Sequence, residues 1–173
     1  LKAINEILGT NYDMEELGTM AANLGSDVNF FLNPVISRCT GRGEIVKPVP
    51  ELANWSSPMV LIKPQFGVST PSAYRALTCS KRFKSVNYGA QKADGITFIN
   101  ELERPVFAKF PILGIMKMWL LQQEGVRVAL MSGSGSSLFA LTETPEQAQA
   151  IATLARAEFG ESLFTHCGTV NPQ

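Results

Sequence analysis

The sequence has few of the residues that bind metals or form disulfides. Its 173 residues include one histidine, His166, and three cysteines, Cys39, Cys79 and Cys167. A single histidine cannot supply a multi-histidine metal site, and the cysteines are widely spaced without a CxxC pair. We therefore expect no metal held by the protein's own side chains, and we expect the cysteines to be reduced thiols of a cytosolic protein.

The sequence also lacks a charge excess and a long apolar run. Fifteen basic residues balance 15 acidic ones, which argues against a surface built for nucleic acid or an anionic membrane. No stretch reaches the roughly 18 apolar residues of a membrane-spanning helix, and the first residues lack the order of a signal peptide. With 45% hydrophobic and 17% charged residues, the chain is too apolar to be disordered. A globular, cytoplasmic protein without nucleic-acid or membrane partners is predicted.

Caps and prolines predict how the chain is divided. Asp13 and Glu16 have the spacing of a helix capping box, and the helix that they begin runs to Asn23. Residues 46–58 hold three prolines with little periodicity. We therefore place a domain boundary in this segment, between residues 50 and 51.

From residue 59 onward the predicted order is strand, helices, strand, strand, helix, strand. The strands are residues 59–63, 126–131, 138–141 and 164–170. The helices are residues 71–77 with Thr70 as N-cap, 96–107, 111–125 and 145–159. Residues 78–94 are polar and irregular and predict a solvated loop. This order predicts an α+β fold of ferredoxin-like type, a split β-α-β arrangement whose antiparallel sheet is backed by helices.

The helix predicted from residue 111 has an apolar stripe. Its members at three-and-four spacing are Ile112, Ile115, Met116, Trp119 and Leu120. A stripe of this kind is far more often core than a cofactor site, so we expect these side chains to be buried.

The Gly/Ser loop at residues 132–137 (SGSGSS) is the strongest candidate site. Alternating glycines and small hydroxyl residues let backbone amides converge on an anion. The loop is not a Walker loop, because no lysine follows, and it is not a dinucleotide fingerprint, because a strand follows. The alternative is a flexible hairpin turn.

Two further segments are candidates for the chemistry. In GSDVNFF, residues 25–31, Asp27 is either a cap or a fixed carboxylate that accepts a proton from an attacking hydroxyl. In TGRGE, residues 40–44, Arg42 lies between two glycines. That segment is either a phosphate-facing turn or an ordinary turn between strands.

These segments, taken in order with FGVSTPSAYRAL, INELERPVF and SGSGSSLFAL, resemble the GHMP superfamily of small-molecule kinases. Within it they are similar to the branch that phosphorylates a cytidine diphosphate sugar alcohol in isoprenoid biosynthesis. The resemblance implies that residues 1–50 are the end of a ribosomal-protein-S5-like first domain, a remnant of the ATP-binding domain. It implies that residues 51–173 are a ferredoxin-like GHMP kinase C-terminal domain.

The resemblance also implies roles for single residues. Asp27 corresponds to the catalytic aspartate that activates the substrate hydroxyl for attack on the γ-phosphate of ATP. Arg42 falls where the family lines the cytidine diphosphate site. Tyr74 falls where an aromatic ring stacks on the cytosine, which is worth about 1–3 kcal/mol; the alternative is that its ring packs on the sheet. The loop residues beside the nucleotide phosphates are Gly133, Ser134, Gly135 and Ser136. ATP and Mg²⁺ are the implied cofactors.

The chain departs from the family at several points. Asn29 stands where the family usually has proline, and the family's N-terminal lysine and Gly-rich ATP loop do not occur in these 173 residues. We therefore expect the C-terminal part of such a kinase, a monomer or weak homodimer that is inactive alone. The alternatives are another GHMP kinase, acting on homoserine, mevalonate or a sugar, and a non-catalytic binding module.

Overall fold

The computed structural model describes residues 1–32, 35–78 and 81–171, and it divides into two compact units. The first unit spans Leu1–Trp55 and the second begins at Ser56. The division falls inside the proline-containing segment 46–58, five residues after the boundary that we placed from sequence. That residues 1–50 are the remnant of an ATP-binding domain stays a prediction.

The first unit consists of two helices, a 3₁₀ helix and a hairpin. Its elements are α1 (Lys2–Leu8), α2 (Met14–Leu24), a 3₁₀ helix (Val28–Leu32), β1 (Ser37–Thr40), β2 (Ile45–Pro48) and a 3₁₀ turn (Pro50–Leu52). The predicted capping box begins α2: the Asp13 carboxylate accepts the N–H groups of Glu15 and Glu16, and the Glu16 carboxylate accepts the N–H of Asp13. Leu17, Ala21 and Leu32 form its small core.

The second unit contains a four-stranded antiparallel sheet. Its elements are β3 (Ser57–Lys63), α3 (Thr70–Arg75), β4 (Gln91–Ala93), β5 (Ile96–Phe98), α4 (Glu103–Lys109), α5 (Pro111–Leu121), β6 (Val126–Met131), β7 (Leu138–Thr142), α6 (Pro145–Phe159) and β8 (Phe164–Val170). The strand order is β6-β7-β3-β8, and each neighbouring pair is antiparallel. One sheet face, including Val60 and Ile62, shares a core with α4, α5 and α6. The predicted ferredoxin-like arrangement is confirmed.

Two predicted elements of the second unit are wrong. Residues 96–98 form strand β5, not the start of a helix, and they pair with β4, which lies within the predicted loop at 78–94. The turn between these strands is Asp94-Gly95, with φ values of 52° and 77°. An Asp-Gly pair with positive φ at both residues is a strong hairpin signal, and the helical periodicity after it hid this signal.

The buried face of α5 also differs from the prediction. Ile112 and Ile115 were expected to be buried but are 41% and 58% exposed. Met116 and Leu120 are buried as expected, and Leu113, which was not in the predicted stripe, is buried too. Gly114 and Lys117 are also buried, and Lys117 is 0% exposed. The stripe is rotated toward a charged residue, which a hydrophobic pattern assigns to solvent.

Candidate active site

The Gly/Ser loop at residues 132–137 connects β6 to β7 as a tight turn. The N–H of Ser132 donates to Ser137 O at 2.9 Å, and the N–H of Gly135 donates to Ser132 O at 2.9 Å. Gly135 has a φ of +84°, and a Cβ there would lie 2.7 Å from Met131 Sδ. Since both the backbone conformation and the space exclude a side chain, glycine is required at this position.

The loop is tied to the segment before α3. The buried Ser136 hydroxyl donates to the carbonyl of Phe66. The Ser134 and Thr70 hydroxyls lie 2.7 Å apart and share a hydrogen bond. Thr70 is therefore not the N-cap that we predicted: Ser69 holds that position, and Thr70 is the first helical residue, with its side chain turned to the loop.

Tyr74 lies one helical turn after Thr70 on α3. Residues four apart in a helix are neighbours on its surface, so the Tyr74 ring and the Thr70–Ser134 contact occur on the same side of α3. Tyr74 is 59% exposed. This exposure argues against the alternative that its ring packs on the sheet.

In the first unit, the structure brings GSDVNFF and TGRGE together. Asp27 precedes the Val28–Leu32 3₁₀ helix, and its carboxylate lies so close to Gly43 that a Cβ there would be 2.4 Å from Asp27 Oδ1. Asn29 donates from Nδ2 to Glu44 O at 3.0 Å. TGRGE is the turn between β1 and β2, and Gly43 in this turn packs against the Asp27 carboxylate. A turn between strands is compatible with both interpretations of this segment, so the role of Arg42 stays a prediction.

Glu44 closes this turn, a role that the sequence analysis did not assign. The backbone N–H of Arg42 donates to Glu44 Oε2 at 2.7 Å. Hydrogen bonds from the backbone N–H groups of Glu44 itself and of Arg42 lower the pKa of the Glu44 carboxyl. The Arg42 side chain is exposed. The signal in the sequence was a carboxylate two residues after the Arg42 amide, which can fold back on its own turn.

The charged residues behind the Gly/Ser loop were also missed. Glu103, at the start of α4, accepts a hydrogen bond from the N–H of Met131, and it pairs with Lys117 of α5. Burial is the main cause that raises the pKa of the Glu103 carboxyl, while the hydrogen bond from Lys117 opposes this shift. INELERPVF, which contains Glu103, had carried the resemblance without a role for any of its residues.

The remaining candidates concern cysteines, metals and membranes. Cys39 and Cys167 are free thiols, and Cys79 lies outside the described residues. Across residues 1–32, 35–78 and 81–171, no three His, Cys, Asp or Glu side chains gather as a metal site. No helix in the described part of the chain is long and apolar enough to cross a membrane.

Comparison with known proteins identifies relatives along nearly the whole chain. A protein from Desulfitobacterium hafniense (strain Y51) named 4-diphosphocytidyl-2-C-methyl-D-erythritol kinase is 35% identical over 96% of this chain and 60% of its own length. A kinase of the same name from Methylacidiphilum infernorum (isolate V4) is 41% identical over 82% of this chain and 48% of its own length. The chain thus spans about half to three fifths of these relatives.

A solved structure and a family profile agree with these relatives. The crystal structure of 4-(cytidine 5′-diphospho)-2C-methyl-D-erythritol kinase matches with a TM-score of 0.77 and 31% identity, covering 100% of this chain and 62% of that chain. The family described as "GHMP kinases C terminal" matches residues 89–161, which include β4 through α6 and the Gly/Ser loop. Residues 89–161 of the second unit therefore belong to the GHMP kinase C-terminal domain family.

Proposed function

We propose that the protein containing this chain transfers the γ-phosphoryl group of ATP to the 2-hydroxyl of 4-diphosphocytidyl-2-C-methyl-D-erythritol, a step of isoprenoid biosynthesis. The observation that carries the proposal is the extent of the similarity. The match to a kinase of that name covers 96% of the chain, so it runs through both the Asp27 segment and the Gly/Ser loop.

Asp27 acts on the acceptor hydroxyl. Its carboxylate accepts the hydroxyl proton as the oxygen attacks the γ-phosphorus. The new P–O bond forms while the bond to the β–γ bridging oxygen breaks, and ADP leaves with that electron pair. Gly43 supports this role because its bare backbone packs on the carboxylate and keeps Asp27 in place.

The loop and α3 supply positioning. Residues 133–136 lie beside the nucleotide phosphates, where the amides of Gly133, Ser134 and Ser136 stabilise the charge of the transferring group. The N–H of Gly135 is not among them, because it donates to Ser132 O within the turn. The Ser134 and Ser136 hydroxyls already bond Thr70 and Phe66 O, so positioning falls mainly to the backbone of the loop. Tyr74 stacks on the cytosine base, and the Arg42 guanidinium pairs with the diphosphate. Mg²⁺ accompanies the ATP phosphates.

The test is ADP release by the complete protein that contains this chain. The cytidine compound, homoserine and mevalonate are supplied separately. We expect turnover with the cytidine compound alone, and about a 10²–10⁴-fold loss of kcat in Asp27→Asn. Asp13→Asn is the matched control, because asparagine still caps α2 and the change lies outside the site. Turnover with another alcohol would discard the substrate, and silence with all three would favour a non-catalytic module.

The substrate assignment has a second test in Tyr74. Tyr74→Ala should raise KM for the cytidine compound about tenfold or more while leaving KM for ATP unchanged, because a lost stacking contact affects one substrate. Tyr74→Phe keeps the ring and should restore KM. An equal rise in both KM values would contradict the stacking role.

Three further proposals concern the chain as a molecule. The isolated 173-residue chain should release no detectable ADP, and detectable release would overturn this expectation. In solution the protein should be a monomer or weak homodimer, which sedimentation measures. Its location is the cytoplasm.

A further inference from the structure

A buried ion pair lies directly behind the start of the Gly/Ser loop. Lys117 Nζ and Glu103 Oε2 are 2.6 Å apart, and the two side chains are 0% and 1% exposed. Lys117 Nζ also donates to the carbonyl of Asn87 at 2.5 Å. Burying two charges is costly, and an apolar pair of similar volume is often no less stable. The fold alone therefore gives little reason for these charges.

The second oxygen of Glu103 contacts the backbone at the loop. Glu103 Oε1 accepts the N–H of Met131 at 2.9 Å, and Met131 is the last residue of β6. A hydrogen bond to an ionised acceptor is stronger than one to a neutral acceptor. Glu103 thus fixes the peptide group from which the loop departs.

Asn100 holds two carbonyls at the start of the loop, those of Met131 and Gly133. Its Nδ2 donates to Met131 O at 2.7 Å and to Gly133 O at 2.8 Å, so one amide spans the end of β6 and the first glycine of the loop. Its Oδ1 accepts the N–H of Leu102 at 2.9 Å, which fixes the orientation of the amide. Asn100 and Glu103 therefore act on the same stretch of backbone from adjacent positions.

The neutral side chain of Gln91 binds the backbone of β6 at Ala129, two residues before Met131. β6 is an edge strand, and Gln91 donates to Ala129 O at 2.8 Å and accepts the N–H of Ala129 at 3.0 Å. Side chains thus satisfy this edge at both Ala129 and Met131. At Ala129 an amide suffices, whereas a buried charge is used beside the loop.

We propose that Asn100 and Glu103, with Lys117 behind Glu103, are positioning residues that hold the backbone of Met131 and Gly133 so that the loop amides face the nucleotide phosphates. The phosphate part of this inference rests on the proposed function. Lys117 keeps Glu103 in place, Glu103 holds the Met131 N–H, and Asn100 holds the Met131 and Gly133 carbonyls.

Two double variants separate loop positioning from stability. E103Q/K117M and E103L/K117M both remove the buried charges, but glutamine keeps an oxygen that accepts the Met131 N–H and leucine does not. Hydrogen exchange of the segment around residue 131 and KM for ATP are measured in the complete protein. We expect the two double variants to have similar Tm values. In E103L/K117M the hydrogen-exchange rate around residue 131 and the KM for ATP should each rise about tenfold, whereas in E103Q/K117M both should stay near the wild-type values.

A second pair compares the loop with the neighbouring edge. Asn100→Ala removes three hydrogen bonds to the backbone, at Met131 O, Gly133 O and Leu102 N–H, whereas Gln91→Ala removes two, both at Ala129. Asn100→Ala should raise KM for ATP about tenfold, whereas Gln91→Ala should speed exchange near residue 129 without changing KM.

Several results would overturn the inference. Equal exchange and KM in the two double variants would show that Glu103 does not hold the loop. A fall of Tm in both would show that the pair serves folding, and a KM rise in Gln91→Ala equal to that in Asn100→Ala would show a general edge effect. Wild-type protein that phosphorylates none of the alcohols would overturn the proposed function, and the exchange difference would still decide loop positioning.

Discussion

The two units use their apolar residues in opposite ways. Among the described residues, the first unit buries three apolar side chains and exposes eleven large ones, whereas the second buries 21 and exposes seven. The second unit thus has a core that can support it, and the first depends on local hydrogen bonds. Within the first unit, Asn5 Oδ1 accepts the N–H of Tyr12, and Asn5 Nδ2 donates back to Tyr12 O. The difference predicts unequal stability.

The sharpest test compares two phenylalanines. Phe107 in α4 is fully buried and Phe31 is 77% exposed. Phe107→Ala should lower the free energy of unfolding by about 3–5 kcal/mol, because a large cavity opens in the core. Phe31→Ala should change it by no more than about 0.5 kcal/mol. Urea unfolding followed by circular dichroism measures both values. A loss of similar size in Phe31→Ala would mean that the apolar face of the first unit is buried in solution.

The stabilities of the two units can also be compared through the same structural feature, because one helix in each unit begins with a capping box. Asp13 begins α2 in the first unit, and Thr144 begins α6 in the second; each accepts the N–H of the residue three positions on. Replacement of either by alanine should cost about 1 kcal/mol. Thr144→Ala should shift the unfolding midpoint of the second unit, whereas Asp13→Ala should mainly speed hydrogen exchange in residues 14–24.

Serine variants serve as controls for the caps. Asp13→Ser and Thr144→Ser keep a side-chain oxygen at the N-cap and should stay close to wild type. If Asp13→Ala shifted the global midpoint as much as Thr144→Ala, the two units would unfold together. The inference that the two units differ in stability, which rests on the sizes of their cores, would then be wrong.

The caps also show what a sequence can reveal. Asp13 with Glu16 was found from spacing alone, because a cap involves residues three apart. The four strands of the main sheet in the second unit were also predicted in their order along the chain. The Asp94-Gly95 hairpin was missed because the predicted helix was started at residue 96, where the structure has strand β5, and α4 begins only at Glu103.

The site was predictable as far as its motifs are local. Asp27, the TGRGE turn and the Gly/Ser loop were each recognised as short segments. The contact between Gly43 and Asp27 was not, because it depends on how the hairpin folds back on the 3₁₀ helix. The burial of Lys117 depends on Glu103, 14 residues earlier, and on the edge of β6. The hydrophobic periodicity of a sequence cannot predict such a contact between side chains of different elements.

The smallest expected effect concerns two carboxylates whose pKa values move in opposite directions. Backbone N–H groups lower the pKa of Glu44 in the first unit, and burial raises that of Glu103 in the second. The stabilisation from Glu44 is present above its unfolded pKa and is lost as pH falls through its folded pKa. The contribution of Glu103 is full below its unfolded pKa and is lost as pH rises through its folded pKa.

Acidification should therefore affect the two units differently. Carboxyl NMR titration should give Glu44 a pKa below, and Glu103 a pKa above, that of an ordinary glutamate. Unfolding from pH 7 to pH 3 should show that Glu44→Gln removes an acid-induced loss, whereas Glu103→Gln removes an acid-induced gain. A Glu103 carboxyl whose pKa lies below that of an ordinary glutamate would mean that attraction to Lys117 outweighs burial. The charged pair would then stabilise the second unit by itself, and the argument that its charges serve the loop would lose its energetic basis.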